Sequence, residues 1–188
     1  MNKIIVISGP SGSGKGTIEQ KLLARPELNL VWAKSYTTRP PRESDQNEKH
    51  YIFVDKKKFE ELEEKGEILE SNFYNGNWYG SSLNEIENAL KEKKNVLKDI
   101  DINGGFNFKK RFENTVLIFI KASLEQIRSR LVDRNQNTED EIEKRLEIAE
   151  NEIALADDYD YIVDNPHGHS EKAVEVISKI INSLEKEK

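Results

Sequence analysis

Residues 4–17 have the sequence IIVISGPSGSGKGT, in which a short apolar run is followed directly by a glycine-rich segment. The run Ile4–Ile7 is continuous and β-branched, which predicts a strand buried on both faces. The segment after it fits the pattern G-x-x-x-x-G-K, a loop that opens a helix and directs its backbone N–H groups at phosphate oxygens. Lys15 adds a positive charge that can reach the outer phosphates. This order of strand, loop and helix predicts a phosphate-binding site.

Alternating strand and helix patterns continue along the rest of the chain. Buried strands are predicted over 96–102, 115–120 and 161–163, with helical patterns between them. Capping-box spacing at 123–126 and 138–141 predicts helices that begin near 124 and 139, and Ser170 is expected to begin the last helix. Such alternation is typical of an α/β fold with a parallel sheet flanked by helices.

Residues 34–81 interrupt this alternation. Polarity alternates over 50–54, which predicts a half-exposed strand, and a short helix is expected over 57–65. Asn75-Gly76, between two further strand patterns, is a strong signal for a hairpin turn. Capping-box spacing at 82–85 then begins a helix that returns to the core. We therefore expect a small antiparallel insertion between the first helix and the second core strand.

Composition excludes several classes of protein. The chain has 188 residues, with 29 Lys+Arg against 35 Asp+Glu and a formal net charge of −6. This length favours a single domain with inserted parts, and no stretch approaches the ~18 apolar residues of a membrane span. The acidic balance argues against broad binding of nucleic acid. The sequence has 0 cysteines, which excludes disulfides and thiolate metal sites.

With the loop and later motifs taken together, the sequence resembles the guanylate kinase family over nearly its whole length. The motifs that carry the resemblance are, besides the loop, Thr37-Thr-Arg39-Pro-Pro-Arg42, His50-Tyr51-x-Phe53-Val54, Ile68-Leu-Glu70, Asn77-Trp-Tyr79-Gly-Ser81, Asp99-Ile-Asp101, and Arg130-Leu-x-x-Arg134 followed by Arg145. The resemblance implies transfer of the γ-phosphate of ATP to GMP with Mg²⁺, giving ADP and GDP, by a cytoplasmic enzyme with no obligatory protein partner. It also implies a P-loop NTPase core at about 1–33, 82–122 and 158–188, a GMP-binding insertion at about 34–81, and a helical lid at about 123–157.

The resemblance assigns a role to each matching residue. Catalytic roles are implied for Lys15, Arg39, Arg130, Arg134 and Arg145. Contacts to ATP are implied for Gly9, Pro10, Ser11, Gly12, Ser13, Gly14, Lys15, Gly16, Thr17 and Asn165. Contacts to GMP are implied for Ser35, Arg39, Arg42, Tyr51, Glu70, Tyr79, Ser81 and Asp101. Candidate metal contacts are Thr17 and Asp99, mainly through water and phosphate oxygens, because Gly16 stands where Ser or Thr usually contacts Mg²⁺.

The chemistry of these residue types agrees with the implied reaction. Paired guanidinium and phenol groups suit a phosphate dianion, which accepts several charge-assisted hydrogen bonds. The carboxylate of Glu70 can accept from both N1–H and the 2-amino group of guanine, whereas adenine presents a lone pair at N1. Asp99 and Asp101 lie at the carboxyl end of a predicted strand, and we expect both on the same side of it, facing the cleft. Arginines on a lid can stabilise the charge that phosphoryl transfer spreads over the moving group.

The sequence also departs from the family pattern. Ser44 and Asp45 stand where Gly-Glu is usual, and further departures are Glu48, Lys98, Asn103 and Asp164. Two alternatives remain: a non-catalytic guanylate-kinase-like module that binds protein ligands, and a related P-loop kinase with a different acceptor. The complete loop with Lys15 argues against the first. Glu70, Ser81 and the paired arginines favour a nucleoside monophosphate over other acceptors.

Overall fold

The computed structural model describes residues 2–42, 45, 50–74, 76–133, 138–166 and 168–186. The strands are β1 Ile4–Ser8, β2 Leu30–Trp32, β3 Ser35–Thr37, β4 Tyr51–Phe53, β5 Ile68–Tyr74, β6 Asn77–Ser82, β7 Asn95–Asp99, β8 Thr115–Lys121 and β9 Tyr161–Asp164. The helices are α1 Lys15–Leu23, α2 Lys56–Glu64, α3 Leu83–Lys91, α4 Ile102–Arg111, α5 Leu124–Asp133, α6 Glu139–Ala154 and α7 Ser170–Lys186.

The main sheet has the strand order β2-β7-β1-β8-β9, and its strands are parallel. Every residue of β1 is buried, because successive side chains enter cores on opposite faces of the sheet. Ile5 and Ile7 pack with α1 and α7, while Ile4 and Val6 pack with α3 and α4. The predicted parallel sheet flanked by helices is confirmed.

The segment between α1 and α3 forms a second sheet in the order β4-β3-β6-β5. The pairs β3–β6 and β5–β6 are antiparallel, and β3–β4 is parallel. Helix α2 packs Phe59 and Leu62 against Ile68 on one side of this sheet. Tyr74 pairs with Asn77, which confirms the hairpin between β5 and β6. Asn75 of the predicted turn lies outside the described residues.

The capping predictions are confirmed. Thr138 and Glu141 form a reciprocal capping box at the start of α6. Ser123 and Gln126 exchange the same pair of hydrogen bonds before α5, at 3.1 and 3.2 Å. The Ser82 hydroxyl accepts from the Glu85 backbone N–H at 3.3 Å and begins α3. No helix in the described ranges is both long and apolar enough to cross a membrane.

The predicted strand over 96–102 is wrong at its carboxyl end. Strand β7 ends at Asp99, and Asp101 is instead the N-cap of α4. Its Oδ1 accepts from the Gly104 N–H at 2.8 Å, which satisfies a donor that the first turn of a helix leaves unpaired. The alternation of a strand therefore does not place Asp99 and Asp101. A strand end and a helix cap place them instead.

Candidate active site

The phosphate loop connects β1 to α1 and lies tightly against neighbouring segments. Gly9 has a φ of 144°, and a Cβ there would lie 2.5 Å from the Ile120 carbonyl oxygen in β8. Gly14, with a φ of 95°, is the N-cap of α1. A side chain at either position would strain the backbone or displace the loop. The glycines therefore hold the loop's N–H groups at the amino end of α1, where an anion is favoured.

Lys15 folds back over this loop. Its Nζ donates to the Gly9 carbonyl at 2.6 Å and to the Pro10 carbonyl at 3.3 Å. Lys15 lines a cavity of about 460 Å³. The walls of this cavity include Gly9, Ser11, Lys15, Tyr74, Asp99, Asp101, Arg145, Ile148 and Glu152. The ammonium is therefore held where a phosphate chain on the loop would meet it.

Asp99 lies opposite Ile7 in the sheet register, at the carboxyl end of β7. Its side chain is exposed to the cavity. Surrounding protein atoms raise the pKa of its carboxyl, and the positive charges of Lys15 and Lys98 oppose that rise. Thr17, the other candidate metal contact, lines a different cavity beside Gly14 and Arg130. Thr17 and Asp99 therefore line different cavities.

Glu19 is a buried carboxyl near this site that we did not predict. It is 5% exposed, and its Oε1 has no hydrogen-bond partner within the described part of the chain. Burial, together with the negative charge of Asp99, raises the pKa of Glu19 to about 9. It lies one helical turn after Lys15 and beside Ile18 on the buried side of α1. The sequence signal that could have identified Glu19 was a carboxylate among the apolar residues of that helix.

A neighbouring cavity of about 340 Å³ contains most of the side chains expected to contact GMP. Its walls include Ser35, Tyr51, Glu70, Asn72, Tyr79, Ser81, Asp99 and Asp101. Sheet register explains part of this grouping, because Ser35 pairs with Tyr51 on one side and with Ser81 on the other. The rings of Tyr51 and Tyr79 meet edge to face, with centroids 5.9 Å apart.

The polar groups of this cavity already contact one another. Glu70 Oε1 accepts from the Ser81 hydroxyl at 2.5 Å. Burial raises the pKa of Glu70, and the hydrogen bond from Ser81 and the charge of Lys98 oppose the rise. Asp101 Oδ2 accepts from the Asn72 side-chain amide at 2.9 Å. Asn72 is a cavity residue that sequence reasoning missed, because an isolated polar residue in a strand carries no distinctive pattern.

Lys98 lies beneath the same cavity and is 1% exposed. Its Nζ donates to the Ala33 carbonyl at 2.9 Å and to Ser35 Oγ at 2.6 Å. Burial lowers the pKa of Lys98 to about 8, and the charges of Glu70, Asp99 and Glu85 oppose that decrease. An ammonium group thus lies among the acidic side chains of the site.

Arg39 and Arg42 are not among the residues that line the cavity next to Glu70. The Arg39 guanidinium instead makes a bidentate ion pair with Asp45, at 2.8 and 2.9 Å, and lies 5.3 Å from the Tyr51 ring centroid. The Arg42 backbone N–H also donates to Asp45, at 2.5 Å. These hydrogen bonds lower the pKa of Asp45 to about 2. The predicted departures Ser44 and Glu48 lie outside the described residues.

The predicted lid arginines reach the loop from α5 and α6. Arg130 donates to the carbonyls of Gly12 at 3.1 Å, Ser13 at 2.8 Å and Asn165 at 2.8 Å. Arg145 donates to the Ser11 hydroxyl at 2.8 Å. Arg134 lies outside the described residues.

Asn165 meets the loop on its far side. Its side-chain amide donates to the Ser13 carbonyl at 2.7 Å. A third cavity, of about 330 Å³, lies between Gly14, Thr17, Arg130, Asn165 and Pro166. The structure therefore places Asn165 and Arg130 together beside the amino end of α1.

Comparison with known proteins agrees with this geometry. Residues 1–184 match the profile of the family described as guanylate kinase. A guanylate kinase of Bacillus cereus is 39% identical over 163 residues, which cover 86% of this chain and 80% of that protein. A guanylate kinase of Nostoc sp. is 40% identical over 177 residues, which cover 93% of this chain and 88% of that protein. The crystal structure of guanylate kinase from Anaplasma phagocytophilum has a TM-score of 0.76 and 32% identity, covering 100% of this chain and 87% of that one. With its loop, its paired cavities and this similarity over the whole length, the chain belongs to the guanylate kinase family.

Proposed function

We propose that this site carries out the family's reaction, the ATP-dependent phosphorylation of GMP, where the cavity next to Lys15 meets the cavity next to Glu70. Tyr74, Asp99 and Asp101 line both cavities. This shared wall is the observation that carries the proposal, because direct transfer requires the donor and acceptor phosphates to be adjacent and aligned. The acceptor is then GMP and the donor ATP.

On the donor side, the backbone N–H groups of the loop and the Lys15 ammonium bind the phosphates of ATP. The cavity beside Asn165 and Arg130 receives the rest of that nucleotide. Arg145, now hydrogen-bonded to Ser11, lines the phosphate cavity. It is placed to stabilise negative charge on the moving phosphoryl group.

The residues present fit a Mg²⁺ ion that is held largely by water and phosphate oxygens. The Asp99 carboxylate faces the cavity that also contains Lys15. A Cβ at Gly16 would contact nothing within 4 Å, so the chain leaves space beside the loop for bound water. Mg²⁺ retains several waters and commonly uses few protein ligands. When bound, it would supply positive charge to the phosphate oxygens.

On the acceptor side, Glu70 recognises guanine. Its carboxylate can accept from N1–H and from the 2-amino group, and Ser81 fixes it by donating at 2.5 Å. Ser35 and Asp101 provide further polar contacts around the base. Adenine would direct its N1 lone pair at the carboxylate, and this unfavourable pairing gives specificity.

Arg39, Arg42, Tyr51 and Tyr79 bind the GMP phosphate. Tyr51 and Tyr79 already line the acceptor cavity, whereas the Arg39 guanidinium is bound to Asp45. The GMP phosphate must therefore take the place of the Asp45 carboxylate at Arg39. This exchange requires the Asp45 carboxylate to leave the Arg39 guanidinium.

Closure of separate parts of the chain completes the site. The insertion at about 34–81 carries Glu70 and Tyr79, and the lid at about 123–157 carries Arg130 and Arg145. Closing them over the core excludes water, which would otherwise accept the phosphoryl group. We place the reaction in the cytoplasm, where ATP and GMP are both available.

An acceptor series tests this assignment. ADP release is measured with ATP and each of GMP, dGMP, AMP, CMP and UMP, and Lys15→Ala serves as the inactive control. We expect turnover with GMP to exceed that with AMP, CMP and UMP by orders of magnitude. If none of these nucleotides is phosphorylated, the chain is a non-catalytic module. If another acceptor is preferred to GMP, the chain is a different kinase.

A further inference from the structure

Lys98 is a buried lysine that has no role in the transfer reaction described above. It lies near the carboxyl end of a central strand, opposite Val6 in the register, on the face that packs Val6, Ile86 and Val96. Burying an ammonium group is costly unless hydrogen bonds and opposite charges compensate it. Its partners are the Ala33 carbonyl at 2.9 Å and Ser35 Oγ at 2.6 Å. One of those partners belongs to the proposed guanine site.

The contact with Lys98 decides which way the Ser35 hydroxyl proton points. An ammonium group can only donate hydrogen bonds, so Ser35 Oγ must accept from Lys98 with one of its lone pairs. The hydroxyl proton then points away from Nζ. Because Ser35 lines the acceptor cavity, it presents a donor to the ligand there.

The hydroxyl of Ser81 is oriented in the opposite sense. The Glu70 carboxylate can only accept, so Ser81 must donate its proton to Glu70 Oε1 at 2.5 Å. Ser81 therefore presents lone pairs to the cavity, and Glu70 does the same. The cavity therefore presents a fixed order of hydrogen-bonding groups to a ligand, with a donor at Ser35 and acceptors at Ser81 and Glu70.

We propose that Lys98 is a positioning residue that fixes Ser35 as a hydrogen-bond donor and thereby selects a purine with a carbonyl oxygen at position 6. Guanine presents the acceptor O6 next to the donors N1–H and 2-NH₂, which matches the order of the cavity. An amino group at position 6 would meet the Ser35 proton as donor against donor. This inference rests on the proposed function, since it requires the base to occupy the cavity beside Ser35.

Three nucleotides and two variants separate these roles. Lys98→Met removes the ammonium and keeps the length of the side chain, and Ser35→Ala removes the hydroxyl. Both are measured with GMP, with IMP, which keeps O6 and lacks the 2-amino group, and with 2-aminopurine riboside monophosphate, which keeps the 2-amino group and lacks both O6 and N1–H. The last compound is fluorescent, so its dissociation constant is measured directly.

We expect Lys98→Met to raise the KM for GMP and for IMP about tenfold, the effect of one hydrogen bond to an oriented donor. The kcat, the KM for ATP and the dissociation constant of the 2-aminopurine nucleotide should change less than about twofold. Adding Ser35→Ala to Lys98→Met should cause less further loss than Ser35→Ala causes in the wild type, because both changes act on the same contact. A purely structural role for Lys98 would weaken all three nucleotides alike and overturn the proposal.

Lys34→Met is the matched control. Lys34 is the partly exposed residue just before Ser35, and its side chain pairs with Glu85 at 3.6 Å, so its loss removes a positive charge from the same region and leaves the hydrogen bond between Lys98 and Ser35 in place. We expect wild-type kinetics from it. A tenfold loss of GMP use in this variant would mean that charge alone explains the effect of Lys98.

Failure of the inference and failure of the proposed function give different results. If Ser35→Ala leaves GMP kinetics unchanged, Ser35 does not contact the base and the inference is wrong, whereas the proposed function stands. The proposed function fails instead if the wild-type protein does not phosphorylate GMP. If Ser35→Ala weakens GMP and Lys98→Met does not, only the role of Lys98 is wrong. Should Lys98→Met fail to fold, wild-type protein labelled with ¹⁵N at lysine Nζ provides the test. The Lys98 resonance should shift with GMP and not with the 2-aminopurine nucleotide, and an equal response to both would overturn the proposal.

Discussion

Replacing Glu70 by glutamine should remove guanine recognition while preserving the shape of the site. The Glu70 carboxylate accepts from the Ser81 hydroxyl at 2.5 Å and leaves its other oxygen lone pairs for the base. Glutamine has a single acceptor oxygen, which the Ser81 proton occupies. Its amide nitrogen then faces N1–H and the 2-amino group of guanine, as donor against donor.

The size of this effect follows from the bonds lost. A hydrogen bond to a charged group contributes about 1.5–3 kcal/mol, and the substitution removes two such bonds to guanine. Relaxation of the amide and access of water recover part of this, which leaves a loss of ~3 kcal/mol. At 1.4 kcal/mol for each factor of ten, kcat/KM for GMP should fall by about 10²-fold. The KM for ATP should change less than about twofold, because Glu70 does not line the cavity next to Lys15.

The assay is coupled release of ADP over a range of GMP and of ATP concentrations. Glu63→Gln is a matched control, because the exposed Glu63 carboxylate also accepts from a serine hydroxyl, that of Ser71. We expect this control to behave like wild type. Thermal unfolding of each variant checks that the fold is retained. GMP kinetics within twofold of wild type for Glu70→Gln, or an equal loss for ATP, would refute the argument that Glu70 recognises the base.

Three further substitutions and one scattering measurement test other parts of the site. Lys15→Ala should lower kcat about 10²–10³-fold with little change in unfolding temperature, since Lys15 stabilises charge that moves during transfer; an unchanged kcat would contradict this. Arg42→Lys keeps the charge and loses the planar fork, so the KM for GMP should rise about tenfold at constant KM for ATP, and an equally good lysine variant would make Arg42 a mere surface charge. The pKa of Asp45 is lowered to about 2, so its ion pair adds stability above the ordinary value of 3.8 that is lost as pH falls through about 2. Urea unfolding of Asp45→Asn should accordingly depend less on pH between 4 and 2 than wild type, and parallel pH profiles would disprove this. Solution scattering should show a smaller radius of gyration when GMP and a non-hydrolysable ATP analogue saturate the protein, whereas an unchanged radius would indicate a preformed site.

The parts of the fold that sequence could predict are those with local signals. The buried run before the loop, the glycines and the lysine lie within one short segment, and each restricts the backbone by its own chemistry. The helix starts at 124 and 139 were predictable because a capping box needs only neighbouring side chains. Strands β2 and β3 were not predicted, because neither lies in an alternating run such as 50–54, which marked the equally short β4.

The carboxyl end of β7 shows how one pattern can hide another. Asp99-Ile-Asp101-Ile alternates between polar and apolar residues, which is what a half-buried strand requires. The same aspartate at 101 is also a good N-cap, and tertiary packing of α4 favours the cap. The ends of elements depend on which of two compatible local structures the rest of the fold stabilises.

The features of the site also divide into those that local sequence signals could predict and those that depend on distant segments. Residue types and motif order gave the side chains around the acceptor cavity, through resemblance to a family. Contacts that depend on distant segments could not be predicted, such as Lys98 with Ser35 and Asn72 with Asp101. The departure at Lys98 was visible as a charge in a strand pattern, but only the packing of the insertion against the core shows what it contacts.

The ion pair between Arg39 and Asp45 has a consequence for turnover. Because Asp45 is tethered only six residues from Arg39, its carboxylate is present at a high effective concentration whenever the guanidinium loses another anion. If Arg39 binds the GMP phosphate, as we propose, binding is an exchange of one anion for another at the guanidinium, which keeps a counter-ion throughout. Release of the product would be assisted in the same way, because the Asp45 carboxylate competes with the product phosphate for the Arg39 guanidinium. On this proposal, the chain gives up some affinity for its acceptor and gains a faster departure of GDP.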